Sequence, residues 1–353
     1  MEIKGEQIIF LLGAGASVEA KIPVSAQMVS EVEQLILTDD EWKEYKGLYY
    51  YLKSSINYSE GIFGKFNVPF NIEKLLIVMT EIEKRDNNLV YPFIGSWNIR
   101  LLDLAGADFI NISNFKILIN KKLNSWVKVS NYEIDANYYS GFISLSTEIG
   151  NLMKVFSFNY DLCFEKVVGK DLTVETGFEN NTREWHYSNF ENELDKHFLL
   201  YKLHGSIDWY NKREIPHKLF RSDDPVEKPQ LIFGILNKLN SIDPYFYYTS
   251  EFRKATLENV KLIITIGYSF SDDYANNILI QALNSRDDLK ILSVGYSDGE
   301  TSEKINEIKT QLQLNASSNQ IEVYLEGASK FMLEKMNKDY LSGLISKSED
   351  APF

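Results

Sequence analysis

The sequence predicts an α/β protein, in which a mostly parallel sheet carries helices on both faces and a mostly helical insertion interrupts it. Two observations lead to this prediction. Short apolar runs recur along the chain, and most of them are followed by turn residues and then by a helical period. Continuous apolar runs are typical of parallel strands buried on both faces, and alternation of strand and helix indicates a parallel sheet. The runs are residues 7–12, 153–158, 262–266, 290–294 and 320–325.

Helical segments are predicted after most of these runs, at about 17–37, 272–285, 300–312 and 328–338. Two further stretches, 170–200 and 211–245, resemble loops with short strands. These assignments leave one long gap, because more than a hundred residues separate the first predicted helix from the second predicted strand.

That gap defines the predicted domain organisation. We expect a sheet domain of residues 1–37 and 150–340, a helical insertion of residues 38–149, and a C-terminal tail of residues 341–353. The insertion is rich in aromatic residues, which more often form core than a ligand cage. They include Tyr49, Tyr50, Tyr51, Phe63, Phe66, Phe70, Tyr91, Phe93 and Trp97.

Charge excludes one class of function. The 353 residues contain 37 Lys and Arg against 50 Asp and Glu, a formal net charge of −13. Such a chain repels phosphate backbones and anionic lipid over most of its surface. Nucleic acid as a direct ligand is therefore disfavoured.

The remaining composition argues for a soluble, cytoplasmic protein without a metal. The N-terminus lacks a signal-peptide pattern, and the longest apolar stretches are far shorter than the roughly 20 residues that span a bilayer. The single cysteine, Cys163, can form neither an internal disulfide nor a four-cysteine zinc site.

The first motif is Gly13-Ala14-Gly15-Ala16-Ser17, which follows the first predicted strand. Glycines at a strand-to-helix turn allow the backbone to approach a pyrophosphate, and a helix N-terminus favours an anion. Ser17 is a candidate N-cap. A tight turn without a ligand explains the motif equally well, since neither a Walker A lysine nor the third Rossmann glycine is present.

Polar residues also follow the second predicted strand and an apolar stretch before residue 204. Asn159 and Asp161 can face the crevice off the carboxyl ends of the strands, or can form a turn and cap a helix at 162–168. His204, followed by Gly205, is a candidate general base or hydroxyl-orienting group. A structural role is the alternative for each of the three.

Two later strands end in glycine and small hydroxyl residues. Gly267-Tyr268-Ser269 follows the run at 262–266, and Gly295-Tyr296 follows the run at 290–294. Repeated endings of this kind along one sheet edge suit a dinucleotide. The acids Asp272 and Asp273 are also explained as ordinary first-turn residues of a helix.

Taken together and in this order, the motifs resemble the SIR2 (sirtuin) family, and in particular the prokaryotic SIR2-like domains of antiviral defence systems. The matching segments lie within residues 5–37 and 150–300. They are Gly13-Ala14-Gly15-Ala16-Ser17, Ile22-Pro23, Asn159-x-Asp161, His204-Gly205-Ser206-Ile207-Asp208-Trp209 and Gly267-Tyr268-Ser269-Phe270-Ser271-Asp272-Asp273. The resemblance implies a Rossmann-like fold that binds NAD and cleaves its nicotinamide–ribose bond.

The resemblance also implies roles for individual residues. Asn159 would position the water or ribose at the reacting carbon, Asp161 would meet the nicotinamide carboxamide, and His204 would bond the ribose hydroxyls as base. The remaining positions would hold the other parts of NAD. Gly13, Ala14, Gly15 and Ser17 would bind the pyrophosphate, Gly267 and Ser269 a phosphate or the adenosine ribose, and Gly295 and Tyr296 the adenine end.

Two departures bear on the activity. Protein-deacylating sirtuins usually carry four zinc-binding cysteines and a Phe-Arg pair shortly after the Ile-Pro, whereas this chain has only Cys163, and Ser25-Ala26 stands near that position. The leading hypothesis is therefore an NAD+ hydrolase without a metal, acting as an antiphage effector that depletes NAD+. An NAD-dependent protein deacylase and a non-catalytic NAD- or ADP-ribose-sensing subunit remain as alternatives.

Such an enzyme must be silent before infection, so control by assembly is expected. The resemblance includes short SIR2 proteins paired with a separate HerA-type hexameric ATPase, which makes that ATPase the candidate partner. The insertion and residues 300–353 are candidate surfaces for a homo-oligomer.

Overall fold

The computed structural model divides into two compact units. The sheet unit comprises Met1–Ile22 and Val127–Phe353, and the helical unit comprises Pro23–Trp126. The residues that the structure describes are 3–64, 69–85, 98–150, 152–212, 214–227, 229–231 and 243–346.

A parallel sheet forms the centre of the sheet unit. In the described residues it has seven strands in the order β3-β4-β2-β1-β7-β8-β9, and every neighbouring pair is parallel. The strands β5 and β6 form a separate antiparallel ribbon. The bounds are β1 Ile8–Leu12, β2 Met153–Ser157, β3 Val174–Glu175, β4 Phe198–Lys202, β5 Trp209–Lys212, β6 Ile215–Arg221, β7 Leu262–Ile266, β8 Lys290–Val294 and β9 Ile321–Tyr324.

Helices cover both faces of this sheet. On one face Phe156 of β2 packs against Phe252, with 4.9 Å between ring centroids. On the other face Phe10 of β1 packs against Phe142 at 4.8 Å. The described α-helices of the unit are Tyr132–Asp135, Gly141–Ile149, Cys163–Asp171, Tyr245–Leu257, Asp273–Ser285, Thr301–Gln311, Ala328–Lys330 and Lys338–Ser346. The predicted fold class, a Rossmann-like parallel sheet between helices, is confirmed.

Shorter helical turns complete the sheet unit. The 3₁₀ turns are Gly5–Gln7, Ala14–Ser17, Asn137–Ser140 and Tyr187–Phe190, and Phe331–Lys335 is a π-helical turn. No described helix is both long and apolar enough to cross a membrane.

The strand order reverses at β1. The chain passes from β1 to β2, β3 and β4 on one side, and then crosses to β7, β8 and β9 on the other. Ligands of open parallel sheets bind off the carboxyl ends of the strands at such a reversal. A ligand site is therefore expected among the residues that follow β1, β2 and β7.

The helical unit is built from helices packed around aromatic side chains. Phe115 stacks on Tyr45 at 5.0 Å and meets Trp42 edge-on at 6.1 Å. Tyr49 is fully buried, whereas Phe63 is 76% exposed. The predicted aromatics Phe66, Tyr91, Phe93 and Trp97 lie outside the described residues. The described α-helices are Ser25–Thr38, Asp40–Lys43, Lys46–Ile62, Ile72–Glu83, Ile99–Ala105 and Ile110–Trp126, with a 3₁₀ turn at Ala107–Phe109.

The unit boundaries differ from those expected for an insertion of residues 38–149. The helix Ser25–Thr38 belongs to the helical unit, because it carries its own buried stripe of Met28, Val29, Val32 and Ile36. Residues 127–149 belong to the sheet unit, since Phe142 packs on Phe10 of the sheet.

The helix predicted at 17–37 is wrong over its first turns. The Gly-rich motif itself forms the 3₁₀ turn Ala14–Ser17, and the α-helix begins only at Ser25. Lys21 has a left-handed φ of 67°, and Pro23 disfavours a helical conformation for the residue before it. No α-helix N-terminus therefore follows the glycines directly.

Two elements begin at the ends of the stretches 170–200 and 211–245, which are predicted to be loops with short strands. Strand β4 spans Phe198–Lys202 in the middle of one half of the sheet, and the helix Tyr245–Leu257 follows the second stretch. Neither element shows a clear alternation of polar and apolar residues. Strand β4 is buried along its whole length, and the helix begins with a run of aromatic residues.

Candidate functional site

The five sequence motifs follow five neighbouring strands, β4, β2, β1, β7 and β8, and all leave at the carboxyl edge of the sheet. The structure thus places Gly13, Asn159, His204, Gly267 and Gly295 along one edge. This arrangement follows from parallel pairing alone, since the carboxyl ends of parallel strands share an edge.

The glycines of the first and fourth motifs contact each other. The backbone N–H of Gly15 donates to the carbonyl of Gly267 at 3.0 Å. A Cβ added at Gly13 would lie 2.5 Å from that carbonyl oxygen, and a Cβ added at Gly267 would lie 2.0 Å from the nitrogen of Ala16. Gly267 also has a left-handed φ of 62°. The close approach of the β1 and β7 ends therefore explains these glycines without any ligand.

Ser17 and Asn159 join the first and second motifs through their side chains. The Asn159 amide nitrogen donates to the carbonyl of Gly13 at 2.9 Å and to the Ser17 hydroxyl at 3.2 Å. Because a carbonyl only accepts, these contacts fix the orientation of the amide. Both of its N–H groups are engaged, so its carbonyl oxygen is the atom left to act on a ligand or water.

Ser17 is not the N-cap that the sequence suggested. It ends the 3₁₀ turn Ala14–Ser17, and no α-helix starts there. Its fully buried hydroxyl is 3.0 Å from the hydroxyl of Tyr139. Tyr138 donates to the carbonyl of Ala16 at 2.7 Å. Hydrogen bonds from both Tyr138 and Tyr139 therefore hold the turn.

Asp161 forms the local turn that the sequence left open as an alternative to a ligand role. One carboxylate oxygen accepts the backbone N–H of Cys163 at 2.9 Å, at the start of the helix Cys163–Asp171. Burial raises the pKa of the Cys163 thiol, and the neighbouring Asp161 carboxylate raises it further. The thiol is therefore an inert, protonated core group.

A buried ion-pair network, which sequence analysis missed, lies beneath the second motif. Lys202, at the end of β4, is 2% exposed and donates to the backbone carbonyl of Asp161, to the Ser206 hydroxyl at 2.9 Å and to Glu165 at 3.1 Å. Burial raises the pKa of Glu165, and the charge of Lys202 opposes that rise. A lysine inside an otherwise apolar strand is the sequence signal that could have revealed it.

The third motif is completed by a residue that follows β7. Nε2 of His204 lies 3.2 Å from a carboxylate oxygen of Asp272, and the other oxygen of Asp272 accepts the backbone N–H of Ala275 at 2.9 Å. The imidazole meets the ring of Phe158 edge-on at 4.8 Å. Sequence analysis treated Asp272 as an ordinary first-turn acid.

The residues predicted for the adenine side are more exposed. Ser269 is exposed and its hydroxyl pairs with that of Ser271 at 2.8 Å. Tyr296 is 77% exposed, and its hydroxyl donates to Asp298 at 3.0 Å. These side chains are open to solvent, whereas Ser17, Asn159 and His204 are buried.

The described residues have other features outside the strand-end motifs. No group of three or more His, Cys, Asp or Glu residues there could hold a metal. Two surface depressions of the described chain are lined by Ala26, Gln27, Ser30, Glu31 and Gln34, and by Leu283, Asn284, Asp287, Leu314, Asn315, Ser317, Ser318, Asn319 and Gln320. Neither contains a residue of the strand-end motifs.

Comparison with known proteins agrees with the second half of this site. Residues 153–318 match the family model described as SIR2-like domain, a little under half of the chain. This segment contains Asn159, Asp161, His204, Gly267 and Gly295, but not the first motif. Over these residues the chain is thus similar to the SIR2-like domain, which agrees with the resemblance seen in the sequence.

Solved structures that resemble the chain were also found, whereas no curated protein matches it. A Sir2 homologue in complex with NAD has a TM-score of 0.45 and 11% identity, with 96% of this chain and 90% of that chain covered. A mutant Sir2 homologue in complex with ADP-ribose has a TM-score of 0.42 and 10% identity, with 98% and 94% covered.

Proposed function

We propose that this chain is an NAD+ hydrolase that cleaves the nicotinamide–ribose bond to give ADP-ribose and nicotinamide. The observation that carries the proposal is the pair of hydrogen bonds from Asn159 to Gly13 and Ser17 within a chain whose residues 153–318 match a SIR2-like domain. These bonds place the amide of the second motif against the first motif, where the strand order reverses.

The chemistry needs few groups. The nicotinamide ring is cationic and leaves readily, so the enzyme has to orient a water molecule and stabilise an oxocarbenium-like ribose in a site closed to bulk solvent. The carbonyl oxygen of Asn159 can accept a hydrogen bond from that water. An imidazole acceptor at His204 suits a ribose hydroxyl, and the Asp161 carboxylate suits the nicotinamide carboxamide.

The buried position of these groups has a consequence for substrate entry. Asn159 is 8% exposed and His204 is 6% exposed. We propose that the dinucleotide enters as the edge opens, with Gly13, Ala14, Gly15 and Ser17 at the pyrophosphate, Gly267 and Ser269 at a phosphate or the adenosine ribose, and Gly295 and Tyr296 at the adenine. Loops at strand ends commonly close over a substrate in this way.

The test is release of nicotinamide from NAD+ by the purified chain. Asn159→Ala and His204→Ala are expected to abolish release while the fold is retained. Matched controls are Asn277→Ala and His217→Ala, at exposed positions that are not part of the motifs, and these should behave as wild type. Unchanged turnover in both site variants overturns the proposal.

The same assay separates the two alternative functions. A protein deacylase releases nicotinamide only when an acyl-lysine peptide is present. A sensing subunit binds NAD+ or ADP-ribose without turnover. Release of nicotinamide without any peptide supports hydrolysis over both.

We further propose that the activity serves antiphage defence and is controlled by assembly, with a second copy of the chain and a HerA-type ATPase as candidate partners. The support is the family resemblance and the need to keep an NAD-consuming enzyme silent. Native mass spectrometry of the chain with and without the ATPase tests it, and a monomer in both samples contradicts it.

A further inference from the structure

We propose that Asp272 is the positioning residue of His204, because it holds the imidazole as the Nε2–H tautomer and leaves Nδ1 as an acceptor for a ligand hydroxyl. That the hydroxyl belongs to the ribose of NAD+ rests on the proposed function. The tautomer itself does not depend on that function.

The two carboxylate oxygens of Asp272 have different partners, the backbone of Ala275 and the ring of His204. One carboxylate oxygen accepts the N–H of Ala275 at 2.9 Å, at the start of the 13-residue helix Asp273–Ser285, so the side chain cannot turn freely. The second oxygen is 3.2 Å from Nε2 of His204. A carboxylate only accepts, so Nε2 must donate, and in the neutral ring Nδ1 then carries the lone pair.

Nδ1 of His204 is buried and has no hydrogen-bond partner in the part of the chain that the structure describes. The side chain is 8% exposed. Its ring neighbours are Phe158 at 4.8 Å and Tyr160 at 6.2 Å. A buried acceptor without a donor is costly, so a hydroxyl that donates to Nδ1 is favoured as a ligand group.

Capping of the helix Asp273–Ser285 does not require the contact between Asp272 and His204. A cap needs one side-chain oxygen, which serine supplies about as well as aspartate. The second oxygen of Asp272 contacts His204, which is 68 positions away in sequence. His204 follows β4 and Asp272 follows β7, and these strands are three places apart in the sheet. Substitution with serine can therefore keep the cap and remove the contact with His204.

The tautomer can be measured in the absence of any substrate. The chain has four histidines, so a protein labelled with ¹⁵N-histidine gives few signals, and His204→Gln identifies that of His204. We expect His204 in the wild type to show a protonated Nε2 and an unprotonated Nδ1, and Asp272→Ser to lose this preference. A protonated Nδ1 in the wild type, or an unchanged signal in Asp272→Ser, overturns the proposal.

The kinetic arm uses the same variant. We expect Asp272→Ser to lower kcat for nicotinamide release roughly 10²-fold, with KM and the thermal midpoint close to wild type, as for loss of an oriented acid–base group. Asp273→Ser, at the neighbouring exposed acid, is the matched control and should retain wild-type kcat. Equal kcat in Asp272→Ser and wild type overturns the positioning role. If the wild type releases no nicotinamide, the proposed function fails, and the tautomer measurement alone decides this inference.

Discussion

The side-chain amide of Asn159 donates to the backbone carbonyl of Gly13, at 2.9 Å and across 146 positions of sequence. This hydrogen bond links the loop after β2 to the turn after β1, and β1 and β2 are neighbouring strands of the sheet. A second bond to Ser17 makes the link bidentate. The candidate site is therefore held by its own residues before any ligand is present.

Gly267 is expected to tolerate no side chain. Its φ is 62°, and a Cβ there would lie 2.0 Å from the nitrogen of Ala16. Gly267→Ala should lower the free energy of unfolding by about 3 kcal/mol or prevent folding, since strain and overpacking combine. Urea denaturation measures the change.

The matched control for this substitution is Gly343→Ala. Gly343 lies exposed in the helix Lys338–Ser346, and an added Cβ would meet no atom within 4 Å. Alanine should stabilise it by up to about 1 kcal/mol, as in other exposed helix positions. Equal urea midpoints for the two variants would show that Gly267 is not closely packed against Gly15 and Ala16.

The hydroxyl pair of Ser17 and Tyr139 is expected to contribute measurably to stability. The two oxygens are 3.0 Å apart in the core, and burial raises the pKa of Tyr139 well above its ordinary value. Ser17→Ala and Tyr139→Phe should each cost about 1 kcal/mol, with a coupling of at least about 0.5 kcal/mol between them. A double-mutant cycle by urea denaturation gives the coupling, and strict additivity would argue against the pair.

Lys202 is expected to hold the 159–161 loop through its buried contacts. Lys202→Met keeps the length of the side chain but leaves Glu165 without its ion-pair partner at 3.1 Å. The loss should be about 3 kcal/mol near neutral pH. It should be smaller in acid, where Glu165 can protonate. Lys170→Met, which removes an exposed pair with Glu133, should leave the urea midpoint unchanged, and an equal effect of both variants would contradict the account.

The pH dependence of the free energy of unfolding should reflect the protonation of Glu165. Burial raises its pKa above 4.5, so the folded chain holds this proton more tightly than the unfolded chain. Its stabilising contribution is complete below the unfolded pKa and is lost as pH rises through the folded pKa. Relative to Glu165→Gln, the wild type should therefore lose stability as the pH rises above about 4.5. Urea titrations at several pH values test this, and parallel curves for the two proteins would rule it out.

The central strands were predictable because burial on both faces leaves a clear pattern. β1, β2, β7 and β8 were placed within a residue of their observed bounds, since each is an almost unbroken apolar run. Strand β4 gives a weaker pattern than these four, because it ends in the charged residue Lys202. The late start of the first helix depended on Lys21 and Pro23, whose effect outweighed the helical period around them.

The strand-end motifs could be located from sequence, but their contacts could not. That Gly13 and Gly15 pack against Gly267 depends on β1 and β7 being neighbours, which no local pattern reveals. The partnership of His204 with Asp272 depends on loops from two strands that are not adjacent. The contact of Asp161 is local and its spacing suggests it, because its carboxylate closes a turn with the backbone N–H two residues on.

The most direct test of the account is the fate of NAD+ incubated with the purified chain, alone and with the candidate ATPase. Nicotinamide and ADP-ribose should form in equal amounts, and the folded Asn159→Ala variant should form neither. Intact NAD+ under both conditions, or undiminished product from Asn159→Ala, would contradict it.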